Sequence, residues 1–157
     1  MNPLNDEWIL WFHNPKDENW DLESYKKVVT MKTIEDFWMV HRLLDNKKIQ
    51  EGMFFLMKND IEPIWENEKN INGGCWSFKI NKKNVYSYWV DICRFILSQN
   101  ITKDRNNDII NGISVSPKKS FCIVKIWNSD STKNSKELLT DKINTDQCIY
   151  RAHNSRM

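Results

Sequence analysis

The stretch "DIINGISVSPKKSFCIVKIW", residues 108–127, decides the fold. It holds two runs of strand length, "DIINGISVS" (108–116) and "FCIVKIW" (121–127), joined through Pro117-Lys118-Lys119. Two adjacent β-branched runs with a short polar turn between them read as a hairpin, and a hairpin means antiparallel pairing. On either side, "QCIYRAH" (147–153) reads as a final strand. "GGCWSFKI" (73–80) alternates Trp76, Phe78 and Ile80 on one side, as a half-buried strand does. "GMFFLMK" (52–58), "EWILWF" (7–12) and "DLESYKKVVTM" (21–31) are three further strand candidates.

Helical periodicity interrupts them twice with clear signals. In "KTIEDFWMVHRLLDN" (32–46), Thr33 is a good N-cap, and Glu35 and Asp36 sit in the first turn, where the helix dipole favours anions. Phe37, Val40 and Leu44 form its inward stripe, which leaves Trp38 pointing away. In "NVYSYWVDICRFILS" (84–98), Val85, Tyr88, Trp89, Ile92, Phe95 and Ile96 share one face. A third, polar helix is expected over "SDSTKNSKELLTDKI" (129–143). Strands and helices interleave without a βαβ rhythm, so the class is α+β: one antiparallel sheet with three helices on one face. The opposite face is free to carry a site.

The 157 residues suit one core, and 40% hydrophobic with 28% charged residues is ordinary for a globular chain. A net charge of +2 is too small to hold nucleic acid by bulk electrostatics, so any RNA is held locally, in a pocket. No apolar run approaches the ~20 residues of a membrane span, and "MNPLNDEW" has no signal-peptide layout. Cys75, Cys93, Cys122 and Cys148 lack metal-site spacing and read as reduced thiols of a cytosolic or nuclear protein. His13, His41 and His153 make no nucleophile motif with them, and no phosphate-cradling glycine loop is present, so the chain does not read as an enzyme. No cofactor or metal is expected.

Tryptophan is in surplus: Trp8, Trp11, Trp20, Trp38, Trp65, Trp76, Trp89 and Trp127. Stacking on bases is one use for the excess. In "IEPIWENE" (61–68), a loop started by Pro63 sets Trp65 beside Glu66, a flat aromatic face next to a carboxylate.

Several segments together resemble the translation initiation factor 4E family of messenger-RNA cap-binding proteins. They are "NPLNDEWILWF", "ENW" (18–20), "TIEDFW" (33–38), "IEPIWENEKN", "GGCW" (73–76), "YW" (88–89), "IVKIW" ending at Trp127, and "YRAH" (150–153), in the family's order over nearly the whole chain. The resemblance implies a single cap-binding domain over 1–157, with a curved antiparallel sheet of about eight strands backed by three helices on its convex face. It implies that Trp20 and Trp65 sandwich the cationic 7-methylguanine by stacking and cation–π attraction. The resemblance further implies that the Glu66 carboxylate accepts hydrogen bonds from guanine N1–H and the 2-amino group, and that Trp127 borders the N7-methyl. Lys118 stands at the family's phosphate-binding arginine, with Lys119 beside it; Ile123 occupies a lysine position, and Lys125, on the same strand face, is the substitute. Cys75 replaces an arginine, so the triphosphate is expected to contribute less than usual.

The resemblance also implies a partner surface on the helical face for the initiation factor 4G scaffold and inhibitory proteins that mimic it. Trp38 is its centre, with Pro3, Ile34, Val90 and Asp91 around it and Arg94 where an apolar residue is usual. The third helical segment is shorter than in the family, and the chain ends soon after "YRAH", so it reads as a minimal version of the fold. The expected role is to recruit capped mRNA to translation, as a cytoplasmic monomer with the nucleus as a second location. The alternatives are a cap-binding repressor that does not bind the scaffold and a general single-stranded RNA-binding module.

Overall fold

Residues 2–156 are described by the computed structural model. Among them, seven strands and three α-helices follow in chain order: β1 (Pro3–His13), β2 (Tyr25–Thr33), α1 (Ile34–Leu43), α2 (Asn46–Glu51), β3 (Met53–Lys58), β4 (Gly74–Asn81), α3 (Lys82–Leu97), β5 (Ile110–Pro117), β6 (Phe121–Asn128) and β7 (Ile149–Ala152). The expected hairpin is β5–β6, and every strand pair is antiparallel. The strands form one curved sheet in the order β2-β1-β3-β5-β6-β4-β7.

Period-two alternation sorts the side chains between two faces. Trp8 and Leu10 of β1, Phe54 and Leu56 of β3, Trp76 and Phe78 of β4, Ile113 and Val115 of β5, and Val124 and Ile126 of β6 bury into the main core. The helices cover this face with Phe37 and Leu44 from the first helical segment, Ile49 of α2, and Val85, Trp89, Ile92 and Ile96 of α3. The residues between them in register, including Ile9, Trp11, Phe55, Cys75 and Trp127, form a second, smaller cluster on the opposite face.

Thr33 caps α1 as expected, in a reciprocal box: its hydroxyl accepts from Asp36 N–H, and the Asp36 carboxylate accepts from Thr33 N–H. The polar helix expected over 129–143 does not form. Asp130, Ser131 and Ser135 tie their side chains or carbonyls to neighbours two or three residues away, which turns the backbone aside. A single 3₁₀ turn, Lys136–Leu138, is the only helical remnant there. The third helix is instead α2, capped by Asp45 and closed by Gly52.

His41 lies outside the expected inward stripe of α1 yet is buried. Its Nδ1 sits 2.8 Å from the Phe37 carbonyl and so carries the proton; its Nε2 accepts from the Trp89 indole N–H at 3.0 Å, which ties α1 to α3. Burial holds the imidazole below its ordinary range, partly opposed by the Phe37 carbonyl. The sign follows from linkage: the unfolded chain takes up a proton near pH 6.5 that the folded chain resists, so this stability is present above that pH and lost below it. Urea midpoints should therefore fall between about pH 7 and about pH 5. His41→Phe should flatten that slope while costing about 1–3 kcal/mol at neutral pH, by stranding the Trp89 N–H.

Candidate functional site

On the face away from the helices, the sheet and two loops enclose a cavity of about 710 Å³. Strand register builds its floor. Trp127, Cys75 and Arg151 are direct cross-strand neighbours on β6, β4 and β7, and Lys125, Ser77 and Ile149 form the next row on the same face. Trp20 and Trp65 with Glu66 come from the loops after β1 and β3 and line the same cavity.

The Trp20 loop is shaped by three successive side-chain-to-backbone turns. Asn14, Asp17 and Asn19 each accept the N–H two residues on. Trp20 is left 50% exposed, with its inner face stacked on His13 at 4.2 Å and 9°. The Trp65 loop is held by a buried asparagine pair. Asn70 donates to the Glu62 and Ile64 carbonyls, and Asn111 donates to Asn70 Oδ1 at 2.8 Å. Asn111 is available because β5 carries a bulge there: Ile110 and Gly112 pair with Asn128 and Trp127, which leaves it without a place in the ladder. Gly112 must stay glycine, because a Cβ would stand 2.4 Å from the Leu56 carbonyl. Trp65 is 44% exposed and Glu66 is exposed beside it.

Trp127 is fixed rather than free. Its indole N–H donates to the Ser114 hydroxyl at 3.0 Å, and Phe55 meets it edge-on. Burial pushes the Cys75 thiol up to about 12 despite Lys125 nearby, so the floor is neutral at that point. The Tyr25 phenol is also pushed up to about 12, first by burial and then by the Glu66 carboxylate, so it stays neutral and can donate.

Lys125 lines the cavity, whereas Lys118 and Lys119 stand beyond it in the β5–β6 turn, where Lys118 N–H closes onto the Phe121 carbonyl. On the helical face, Trp38 is 44% and Ile34 45% exposed. Pro3 pairs with Thr33, which places it beside the start of α1. Val90 is half-buried on α3, and Asp91 and Arg94 form an exposed ion pair at 3.6 Å.

A family model for eukaryotic initiation factor 4E matches residues 3–157. The chain belongs to the initiation factor 4E family. It is 29% identical over 152 residues to eukaryotic translation initiation factor 4E of Candida albicans, covering 90% of this chain and 71% of that protein. To the Homo sapiens protein it is 29% identical over 136 residues, covering 82% and 61%. Several of these relatives are thus matched over less than two thirds of their length. Among solved structures, C. elegans eIF4E-3, in complex with the 4E-binding protein Mextli and a cap analog, superposes with a TM-score of 0.82 at 22% identity, over 99% of this chain and 94% of that one. Schistosome eIF4E, complexed with m7GpppG and 4E-BP, gives 0.74 at 25%, over 84% and 74%.

For this initiation factor 4E relative, the sequence did not reveal Arg151, Tyr25 and Phe55 as lining residues, nor the asparagine pair that holds the Trp65 loop. Arg151 brings a cation to the row of Trp127 and Cys75; it lay in view as an arginine in the last strand, but only register shows its face. Tyr25 and Phe55 belong to strands assigned on pattern alone, with no motif to mark them. The Asn70–Asn111 pair joins segments far apart in the chain and carries no local signal. Among the described residues, no cluster of His, Cys, Asp and Glu fits a metal ion, and no helix is long and apolar enough to cross a membrane.

Proposed function

We propose that the chain binds the 7-methylguanosine cap of mRNA and links it to translation initiation through a helix-bearing scaffold partner. The observation that carries this reading is that Trp20, Trp65, Glu66 and Trp127 line one cavity although they come from three separate segments. Two exposed indoles offer faces for a flat cation, and Glu66 offers two acceptors for the guanine edge. Adenine presents an acceptor at N1 and lacks the 2-amino group, so the same edge rejects it. The protein acts by binding rather than catalysis, in the cytoplasm where capped messages are translated. The solved relatives with cap analog, m7GpppG, Mextli and 4E-BP support cap binding and the presence of a protein partner. Retention on 7-methyl-GTP resin, with elution by 7-methyl-GTP but not by GTP, tests it.

The triphosphate runs from the base along β6. Lys125 is one pleat repeat, about 7 Å, from Trp127, and the Lys118-Lys119 turn lies further on in the same direction. Arg151 offers a second cation on the opposite flank, with the fork geometry that Lys lacks. Lys125→Ala and Arg151→Ala should each weaken 7-methyl-GTP binding roughly two- to fivefold at low salt, the scale of an exposed ion pair. The deficit should shrink as salt screens the contact. Lys118→Ala should act mainly on the longer dinucleotide cap. Equal salt slopes in all four proteins would place the phosphates elsewhere.

A further inference from the structure

A second cavity, of about 600 Å³, opens between the last two turns of α3, the loop that follows it and residues 140–142. Backbone contacts staple these segments together. Thr102 and Leu139 form an antiparallel bridge, Lys103 N–H donates to the Leu138 carbonyl at 2.9 Å, and Thr140 N–H donates to the Ile101 carbonyl at 2.8 Å. Arg94, Lys103, Arg105 and Lys142 thereby line one space, against the carboxylates Asp91 and Asp141, in a chain whose net charge is only +2. Arg94 pairs with Asp91 at 3.6 Å and Lys103 with Glu137 at 3.9 Å. Among the described residues, Arg105 and Lys142 have no carboxylate within ion-pair reach. Asp104 adjoins Arg105 in sequence but lies outside the lining, and its carboxylate accepts from the Asn106 N–H at 3.0 Å.

Arg105 is also held in a conformation that does not suit it. Gln99 and Arg105 are the two non-glycine residues with left-handed φ among those described, at 62° and 58°. Gln99 follows the Ser98 cap of α3, where a left-handed residue commonly ends a helix. Arg105 ends no helix, and glycine or asparagine would make its turn at lower cost. The turn is fixed through the Arg105 backbone: its N–H donates to the Thr102 carbonyl at 3.2 Å. The Asn107 amide then clamps both left-handed residues, donating to the Gln99 and Arg105 carbonyls at 2.8 Å each. A strained position that keeps an unpaired guanidinium on a concave basic wall points to a ligand for that guanidinium.

We infer that this cavity takes an acidic peptide segment of the partner protein, flanking the helix that lies on Trp38, with Arg105 and Lys142 meeting its carboxylates. The cavity shares Asp91 and Arg94 with the proposed partner surface, so a chain seated there runs directly into it. Arg105 supplies the fork that matches a carboxylate, and Lys142 a second charge on the facing segment. The base cavity opens on the opposite face of the sheet, away from the helices, so an RNA strand leaving the cap has no comparable path. The inference rests on the scaffold reading for the helix that delivers the segment; the acidic chemistry is argued from the cavity alone.

The experiment extends the Tyr-x-x-x-x-Leu peptide by a short run of glutamates at one end or the other, with glutamine runs as controls. Each is titrated at low salt into the native protein, Arg105→Gly, Lys142→Ala and Lys83→Ala, the last a lysine at the opposite end of α3. One glutamate peptide should bind roughly five- to tenfold more tightly than its control, the scale of a few partly exposed ion pairs, and high salt should erase the gain. Arg105→Gly and Lys142→Ala should each cut that gain roughly two- to threefold, and Lys83→Ala should leave it intact. The thermal midpoint of Arg105→Gly should hold or rise, because glycine relieves the left-handed turn. In parallel, hexaglutamate and hexauridylate are added separately to the native protein while the backbone amide resonances of residues 98–105 and 140–142 are followed. Hexaglutamate should shift them more than the RNA does. No gain at either end, or a gain that survives both cavity variants, overturns the inference, and so do amide shifts that are equal for the two probes or larger for the RNA. If the unextended peptide binds neither the native protein nor Arg94→Leu, the scaffold reading fails, and the amide shifts alone decide what the cavity takes.

Discussion

Glu66→Ala is expected to bind 7-methyl-GTP roughly 10- to 150-fold more weakly, a loss of about 1.5–3 kcal/mol, the scale of hydrogen bonds to a charged group. The carboxylate is exposed in the free protein and lies midway along a loop held by Asn70 and Asn111, so the fold does not depend on it. Thermal stability should move by no more than about 0.5 kcal/mol. The guanine N1–H and 2-amino donors are common to GTP and 7-methyl-GTP, so both ligands should weaken together. Trp65→Ala should behave differently. It removes a face rather than an edge and should erase much of the preference for the methylated base, at about 1–3 kcal/mol per stack. Calorimetric titration of the native protein and both variants with each ligand separates the two roles. Equal affinity of the native protein for GTP and 7-methyl-GTP would sink the assignment.

Trp38→Ala should abolish binding of a Tyr-x-x-x-x-Leu scaffold peptide, a loss of at least about 30-fold by the scale of an interface hot spot. Trp38 is exposed on α1, resting edge-on against the buried Phe37, which fixes the indole at little entropic cost. Ile34 and Met39 continue the apolar surface along the same helix. Arg94 is the departure. Its head reaches Asp91 at 3.6 Å, but both side chains are more than half exposed, so the pair contributes little and can be given up. Arg94→Leu should therefore strengthen the peptide, and an acidic residue near its leucine should strengthen binding to the native protein. If neither the native protein nor Arg94→Leu binds, the scaffold-independent repressor becomes the better reading.

The hairpin, the capped first helix and the Trp65–Glu66 pair were legible because each is written within a few neighbouring residues. Thr33 with Asp36 is a local code, and so is the alternation of Trp76 and Phe78. The segment 129–143 misled because its helical composition competes with Asp130, Ser131 and Ser135, whose side chains or carbonyls satisfy local groups in a non-helical form. The signals for α2, Asp45 and Gly52, were present but enclose only six residues, too short for a periodic pattern. Trp20 and Trp65 were singled out through the family resemblance of the motifs around them, and both line the same cavity. Arg151 and His13 were not, because their roles depend on cross-strand register and on which ring lies beneath which.

The sheet order has a bearing on how the molecule is made. β1, β2 and β3 can associate early, but β4 must wait: its partners are β6 at Phe121–Asn128 and β7 at Ile149–Ala152. Synthesis at about 5–20 residues per second puts seconds between the emergence of Trp65 and that of Arg151. During that interval the nascent chain carries two of its indoles with no floor beneath them, and β4 has both edges bare. Pairings so distant in sequence also close slowly once the chain is free. A growing chain therefore completes the lining of the cavity only after its last strand has paired with β4.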